Sequence, residues 1–138
     1  MKGAECVMLG SLLVLSVIDL RTGKIPVLPV ALLGMAVLGY QGWNGAPVLD
    51  IATGVIPGVV LLLVARVTKE SIGYGDGIVL LVLGVFCGAA KTVAILGMSL
   101  MIAAVLSIVL LVLKKAGRKT ALPFIPCLCS AYLLCLLW

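Results

Sequence analysis

The sequence predicts an all-α, polytopic membrane protein: a bundle of six transmembrane helices with both termini on the non-cytoplasmic side. Three observations lead there. Of 138 residues, 64% are hydrophobic and 11% charged, with a mean hydropathy of +1.37, whereas a soluble domain is about half apolar and a quarter charged. The apolar residues gather into six runs, each near the roughly 20 residues that cover a bilayer, so little is left outside the membrane and residues 1–138 form one membrane-embedded domain. The basic residues lie in the short stretches between runs and favour alternate loops.

The first helix is expected over 4–20. Its start, Met1-Lys2 before the run Val7 to Ile18, imitates a signal peptide, but no small-x-small cleavage site follows, so it reads as a retained helix. The polar turn Asp19-Leu20-Arg21-Thr22-Gly23-Lys24-Ile25-Pro26 follows, and its proline suits the first turn of a second helix over 26–40. The loop Gln41-Gly42-Trp43-Asn44-Gly45-Ala46-Pro47 is rich in turn residues, and Tyr40 just before it and Trp43 within it stand where interfacial aromatics are common.

Helix three, over 50–67, contains Gly54, Pro57 and Gly58, which predict a bend or a thin waist in its first half. After the loop Arg66 to Ile72, helix four is expected over 76–89, with Gly84 and Gly88 placed to let a neighbour approach closely. Helix five, over 92–113, ends in the densest basic cluster, Lys114-Lys115-Ala116-Gly117-Arg118-Lys119. Helix six, over 121–138, opens with Leu122-Pro123-Phe124-Ile125-Pro126, where two prolines make the first turn irregular.

Six crossings put loops one, three and five on one side, with Arg21, Lys24, Arg66, Lys69, Lys114, Lys115, Arg118 and Lys119; the other side has only Lys2 and Lys91. The positive-inside rule assigns the basic side to the cytoplasm. The net charge of +5 is therefore a topology signal and not a nucleic-acid surface. The basic cluster before helix six reads as a topology and lipid anchor.

Asp19 ends helix one and Asp76 begins helix four, both at that cytoplasmic face. A carboxylate beside hydrocarbon is costly and marks a functional site by default. Two carboxylates at one depth cannot both ionise cheaply, so they share a proton and divide into one acid and one base. Such a pair activates a water between them against a peptide carbonyl without metal or covalent intermediate. Taken singly, Asp76 behind Gly73-Tyr74-Gly75 also reads as an ordinary helix cap, and Asp19 as a solvated helix end. Gly73 and Gly75 leave room for an extended backbone to lie against Asp76. Helix polarity suggests that Asp19, at the negative end of helix one, carries the shared proton, and that Asp76, at the positive end of helix four, is the ionised base. Asp50 and Glu70 read as solvated or capping residues.

No histidine is present, which removes Ser-His and Cys-His chemistry and histidine-based zinc sites; a serine-lysine pair stays open, but no loop serine sits next to a lysine in a way that picks it out. Cys6, Cys87, Cys127, Cys129 and Cys135 lie in apolar runs and read as packing residues. No cofactor or metal is expected.

Taken together, Ile18-Asp19-Leu20-Arg21-Thr22-Gly23-Lys24-Ile25-Pro26, Ile72-Gly73-Tyr74-Gly75-Asp76-Gly77 and Leu122-Pro123-Phe124-Ile125-Pro126 resemble the motifs of the type IV prepilin peptidases, G-x-G-D aspartic proteases of prokaryotic membranes. The resemblance implies that Asp19 and Asp76 are the catalytic pair, with Gly73, Tyr74, Gly75, Pro26, Pro123 and Phe124 shaping the site or binding substrate. It implies cleavage of the basic leader from a prepilin or pseudopilin precursor, at the cytoplasmic face of the inner membrane. The sequence departs from the family's pattern at Val27, where asparagine is common, and at Ile78, where lysine is common. Larger relatives carry an extra cytoplasmic segment and methylate the new amino terminus; no such segment is present here, so peptidase activity alone is expected. Oligomeric state is not encoded. The rival class is a small proton- or cation-coupled transporter or channel, whose acids are expected mid-bilayer and not at one edge.

Overall fold

A computed structural model of the chain describes residues 2–22, 27–67, 74–113 and 124–137. Among them lie six α-helices and no strand: α1 (Lys2–Thr22), α2 (Val27–Trp43), α3 (Val48–Val67), α4 (Tyr74–Cys87), α5 (Ala89–Val112) and α6 (Phe124–Leu137). α1, α3 and α5 contain apolar stretches long enough to cross a membrane, whereas α2, α4 and α6 are shorter apolar helices. Leu28, Met35, Met101 and Val112 are each at least 70% exposed. An apolar exterior of this kind belongs in lipid.

The helices divide into two compact units. The first comprises Met1–Lys24 and Ile95–Trp138, the second Ile25–Ala94.

In the first unit α1 packs against α6. Met8, Leu12, Leu15, Ser16 and Asp19 are buried; apart from the adjacent Leu15 and Ser16 they recur every three or four residues, which puts them on one stripe of α1. From α6, Ile125, Cys127, Leu128, Cys129, Ala131 and Tyr132 are buried.

In the second unit α4 packs on both α2 and α3, and burial is accordingly spread around it at Val79, Leu80, Val82, Leu83 and Val85. The α3–α4 seam is antiparallel and set by glycine. A Cβ at Gly54 or at Gly84 would run into the other's carbonyl oxygen, and one at Gly58 would lie 2.7 Å from the Leu81 nitrogen and 2.8 Å from its Cα. Further along, Gly77 faces Leu62. Close backbone approach of this sort is how membrane helices gain packing energy when lipid is as apolar as leucine. The waist expected at Gly54, Pro57 and Gly58 is thus the contact surface for α4, and α3 remains α-helical across Pro57.

Several helix ends differ from expectation by a few residues. α2 continues past Tyr40 to Trp43, because Gln41 has a partner: its amide donates to the carbonyls of Val85 (2.9 Å) and Phe86 (3.1 Å). Those belong to the last turn of α4, where carbonyls lack helical partners. Beside it Tyr40 and Phe86 stack at 6.5 Å between ring centroids. α4 then ends at a left-handed glycine, Gly88, with φ of 82°. Its N–H donates to the Gly84 carbonyl at 2.9 Å, the single-bond form of a left-handed helix stop. α5 starts at the next residue, and the Thr92 hydroxyl donates to the Gly88 carbonyl at 2.7 Å.

Candidate active site

Asp19 occupies the last turn of α1 and is only 9% exposed. The backbone N–H of Ile125 donates to its carboxyl. Ile125 is the second residue of α6, so its N–H is one of the first four that find no acceptor within the helix. The carboxyl of one helix thereby closes the open end of another. Two of the three motif stretches, around Asp19 and around Phe124-Ile125-Pro126, are brought together in this way inside the first unit.

The surroundings of that contact are apolar. A cavity of about 330 Å³ is lined by Leu20, Phe124 and Pro126 together with α5 residues that include Ile102 and Leu106. Ser130 also reaches it, with its hydroxyl donating to the Cys127 carbonyl at 2.9 Å.

Asp76 belongs to the second unit. It is the third residue of α4, inside the first helical turn, where an anionic side chain is favoured by the helix polarity. The helix begins at Tyr74, two residues earlier than the expected start. Gly75 is helical and half-buried. Gly77, next to Asp76, sits against Leu62: a Cβ there would come within 2.6 Å of the Leu62 Cδ2. The glycine that follows the aspartate therefore docks the first turn of α4 on α3.

Of the other residues expected at the site, Phe124 begins α6 and is half-buried beside the cavity. Pro26, Gly73 and Pro123 lie outside the described residues, as does the basic run 114–119. Asp50 is exposed in the first turn of α3, in keeping with a solvated helix-start carboxylate. Among the described residues no group of three or more His, Cys, Asp or Glu side chains lies together, and Cys127 and Cys129 are buried packing residues of α6.

Sequence reasoning missed Ile125, Gln41 and Gly77. Ile125 acts through its main chain, and its signal is the pair of flanking prolines: Pro126 has no N–H, which leaves Ile125 as the donor in that part of the turn. Gln41 lies in the loop that the sequence predicts after helix two, and its position one residue from interfacial Tyr40 carries no signal of a partner in α4. Gly77 and Gly84 are seven residues apart, two turns of one helix face.

The model of the type IV leader peptidase family matches residues 6–113. A prepilin leader peptidase/N-methyltransferase of Stutzerimonas stutzeri is 33% identical over 145 residues, which cover 99% of this chain and 50% of that protein. One of the same name from Pseudomonas putida is 34% identical over 137 residues, 93% of this chain and 47% of the relative. The chain thus spans about half the length of these curated relatives. No solved structure matches it. With the family match extending over most of the chain and taking in both aspartate stretches, the chain belongs to the type IV leader peptidase family.

Proposed function

We propose that the chain is a membrane aspartic endopeptidase that removes the basic leader of type IV prepilins or pseudopilins at the cytoplasmic face of the inner membrane. Asp19 and Asp76 are its catalytic pair. The observation that carries this reading is the buried Asp19 carboxyl joined to the Ile125 N–H. A carboxyl kept at 9% exposure by an apolar helix is expensive to retain for structure alone, and family membership supplies the chemistry that gives it a use.

In the proposed mechanism the ionised Asp76 takes a proton from a water while the resulting hydroxide adds to the scissile carbonyl carbon. Asp19 gives its proton to the carbonyl oxygen. When the tetrahedral gem-diol collapses, the C–N bond breaks, the departing nitrogen takes the proton held by Asp76, and one gem-diol hydroxyl returns its proton to Asp19 as the new carboxyl group forms. The sum is hydrolysis, with the carboxyls returned to their starting state. Six crossings with both termini on the non-cytoplasmic side put both aspartates at the cytoplasmic edge, where a leader rich in lysine or arginine waits. Tyr74, Gly75 and Phe124, with Pro26, Gly73 and Pro123, shape the groove for an extended substrate.

The test is cleavage by the purified chain in lipid nanodiscs, with a prepilin-like substrate and mass spectrometry as readout. Loss of a leader-sized mass is expected, and it disappears in Asp19→Ala and in Asp76→Ala. Cleavage that survives either substitution would falsify the assignment of the pair.

A further inference from the structure

The first turn of α6 has an unusual set of donors. The helix begins at Phe124, and the residue before it in sequence is Pro123, whose hydrocarbon side chain offers no acceptor for the helix start. A capping oxygen ordinarily takes the N–H of the second or third helical residue. Here the second is Ile125 and the third is Pro126, which has no N–H. Of the two amides that usually take a capping oxygen, an acid arriving at this helix end therefore meets only one.

The acid that arrives is Asp19. We propose that the backbone N–H of Ile125 is the positioning group for Asp19, holding one carboxyl oxygen so that the other faces substrate. The proposal rests on reading Asp19 as one of the catalytic pair. A carboxyl has two oxygens, and a cap with two N–H groups can occupy both. With Pro126 in the third position, one oxygen is held and one is left for the reaction. The consequence is largest when the carboxyl carries its proton. An N–H bonds to a lone pair, and the carbonyl oxygen of a carboxylic acid is a better acceptor than its hydroxyl oxygen. The proton then resides on the oxygen away from Ile125, the one that must deliver it to the substrate carbonyl. The amide thus selects the oxygen that acts, without touching substrate itself.

The competing account is that Asp19 merely caps α6. On that account losing the N–H lowers stability and leaves turnover by the folded protein alone. The two are separated by replacing residue 125 with the α-hydroxy acid of isoleucine, through nonsense suppression in the full chain, which turns the 124–125 amide into an ester and deletes only the N–H. The substrate is a synthetic peptide with a lysine-rich leader and an apolar segment. Expected is a fall in kcat of about 10- to 100-fold, the worth of one hydrogen bond to an ionisable group, with KM within about twofold. Ile125→Val keeps the N–H and should recover turnover to within about threefold of the parent. The infrared C=O band assigned to Asp19, by its loss in Asp19→Asn, should move to higher frequency in the ester protein.

An unchanged kcat in the ester protein, in a chain whose cleavage still depends on Asp19, overturns the positioning role and leaves the catalytic pair standing. A loss in the valine protein, which keeps the N–H, as large as that in the ester protein means that the effect is not specific to the N–H, and also overturns it. Cleavage indifferent to Asp19→Ala, or absent from the unaltered chain, overturns the reading beneath it; a shifted band then reduces the contact to a helix cap, and an unmoved band denies even that.

Discussion

The glycine seam between α3 and α4 gives a prediction that follows from distances alone. Gly58→Ala adds a Cβ 2.6 Å from Leu81 Cγ, 2.7 Å from its nitrogen and 2.8 Å from its Cα, where ordinary contact begins at 3.4 Å. The leucine tip can rotate away; the nitrogen and Cα cannot. The two backbones must therefore part by several tenths of an ångström at this level, and the close contact of Gly54 with Gly84 one turn away is loosened with them. Overpacking of this kind costs about 1–3 kcal/mol, and backbone against backbone belongs at the upper end. Alanine returns up to ~1 kcal/mol of helix propensity, so a net loss of about 2 kcal/mol is expected. Gly39→Ala in α2 is the control, since nothing lies within 4 Å of its added Cβ and only the propensity gain remains. Unfolding of the purified chain by SDS in mixed micelles, followed by circular dichroism, should place the Gly58→Ala midpoint below the parent and Gly39→Ala at or above it. A Gly58→Ala protein as stable as Gly39→Ala would refute the claim that this seam is held by backbone contact. Gly77→Ala should fall between them, because its clash is chiefly with the movable end of Leu62.

Other substitutions probe the site and its supports. Gln41→Leu removes the donor to the Val85 and Phe86 carbonyls and should lower the same unfolding midpoint by an amount equivalent to about 1–3 kcal/mol; a neutral result would mean those carbonyls find other donors. Gly75→Leu, in the first turn of α4 beside Asp76, should abolish peptide cleavage while helix content by circular dichroism is kept, and retained cleavage would remove the glycine from the substrate path. Replacing Lys114, Lys115, Arg118 and Lys119 together by glutamine should scramble orientation, read by thiol-reagent access from either membrane side, with cleavage kept in the correctly inserted fraction. Selective loss of cleavage would instead make the cluster part of the substrate site.

What could be read from the chain and what could not divide along physical lines. Helix number and type follow from the apolar runs, and the six helices among the described residues end within three residues of their expected ends. The errors have local causes. α2 runs on through Gly42 because Gln41 is tied to α4, a contact across 44 residues that no local pattern encodes. α4 starts early at Tyr74, so Asp76 is a first-turn residue and not the cap that its flanking glycines suggested. For the site, Asp19 and Asp76 stood out because a carboxylate is costly in such surroundings. The main-chain donor at Ile125 did not, since a side-chain alphabet says little about which amide is left over. The prolines around it predict an irregular first turn, and their effect on the donor set depends on Asp19, more than a hundred residues away in sequence, sitting at that turn.

One dimension of the fold bears on where water comes from. The described helical parts of α4 and α6 are 14 residues each and rise about 21 Å, against a hydrocarbon slab of about 30 Å. These are the two helices whose first turns carry Asp76 and the Ile125 N–H. Lipid around a short helix thins to meet it, at a fraction of a kcal/mol per ångström, and headgroups and their hydration descend with the lipid. The proposed hydrolysis beside a membrane core needs a solvent supply, and bilayer thinning around these two helices would provide one. Turnover in nanodiscs should therefore follow acyl-chain length, faster in thin bilayers than in thick ones, with the bilayer acting as a reactant gauge set by nothing more than the number of residues in two helices.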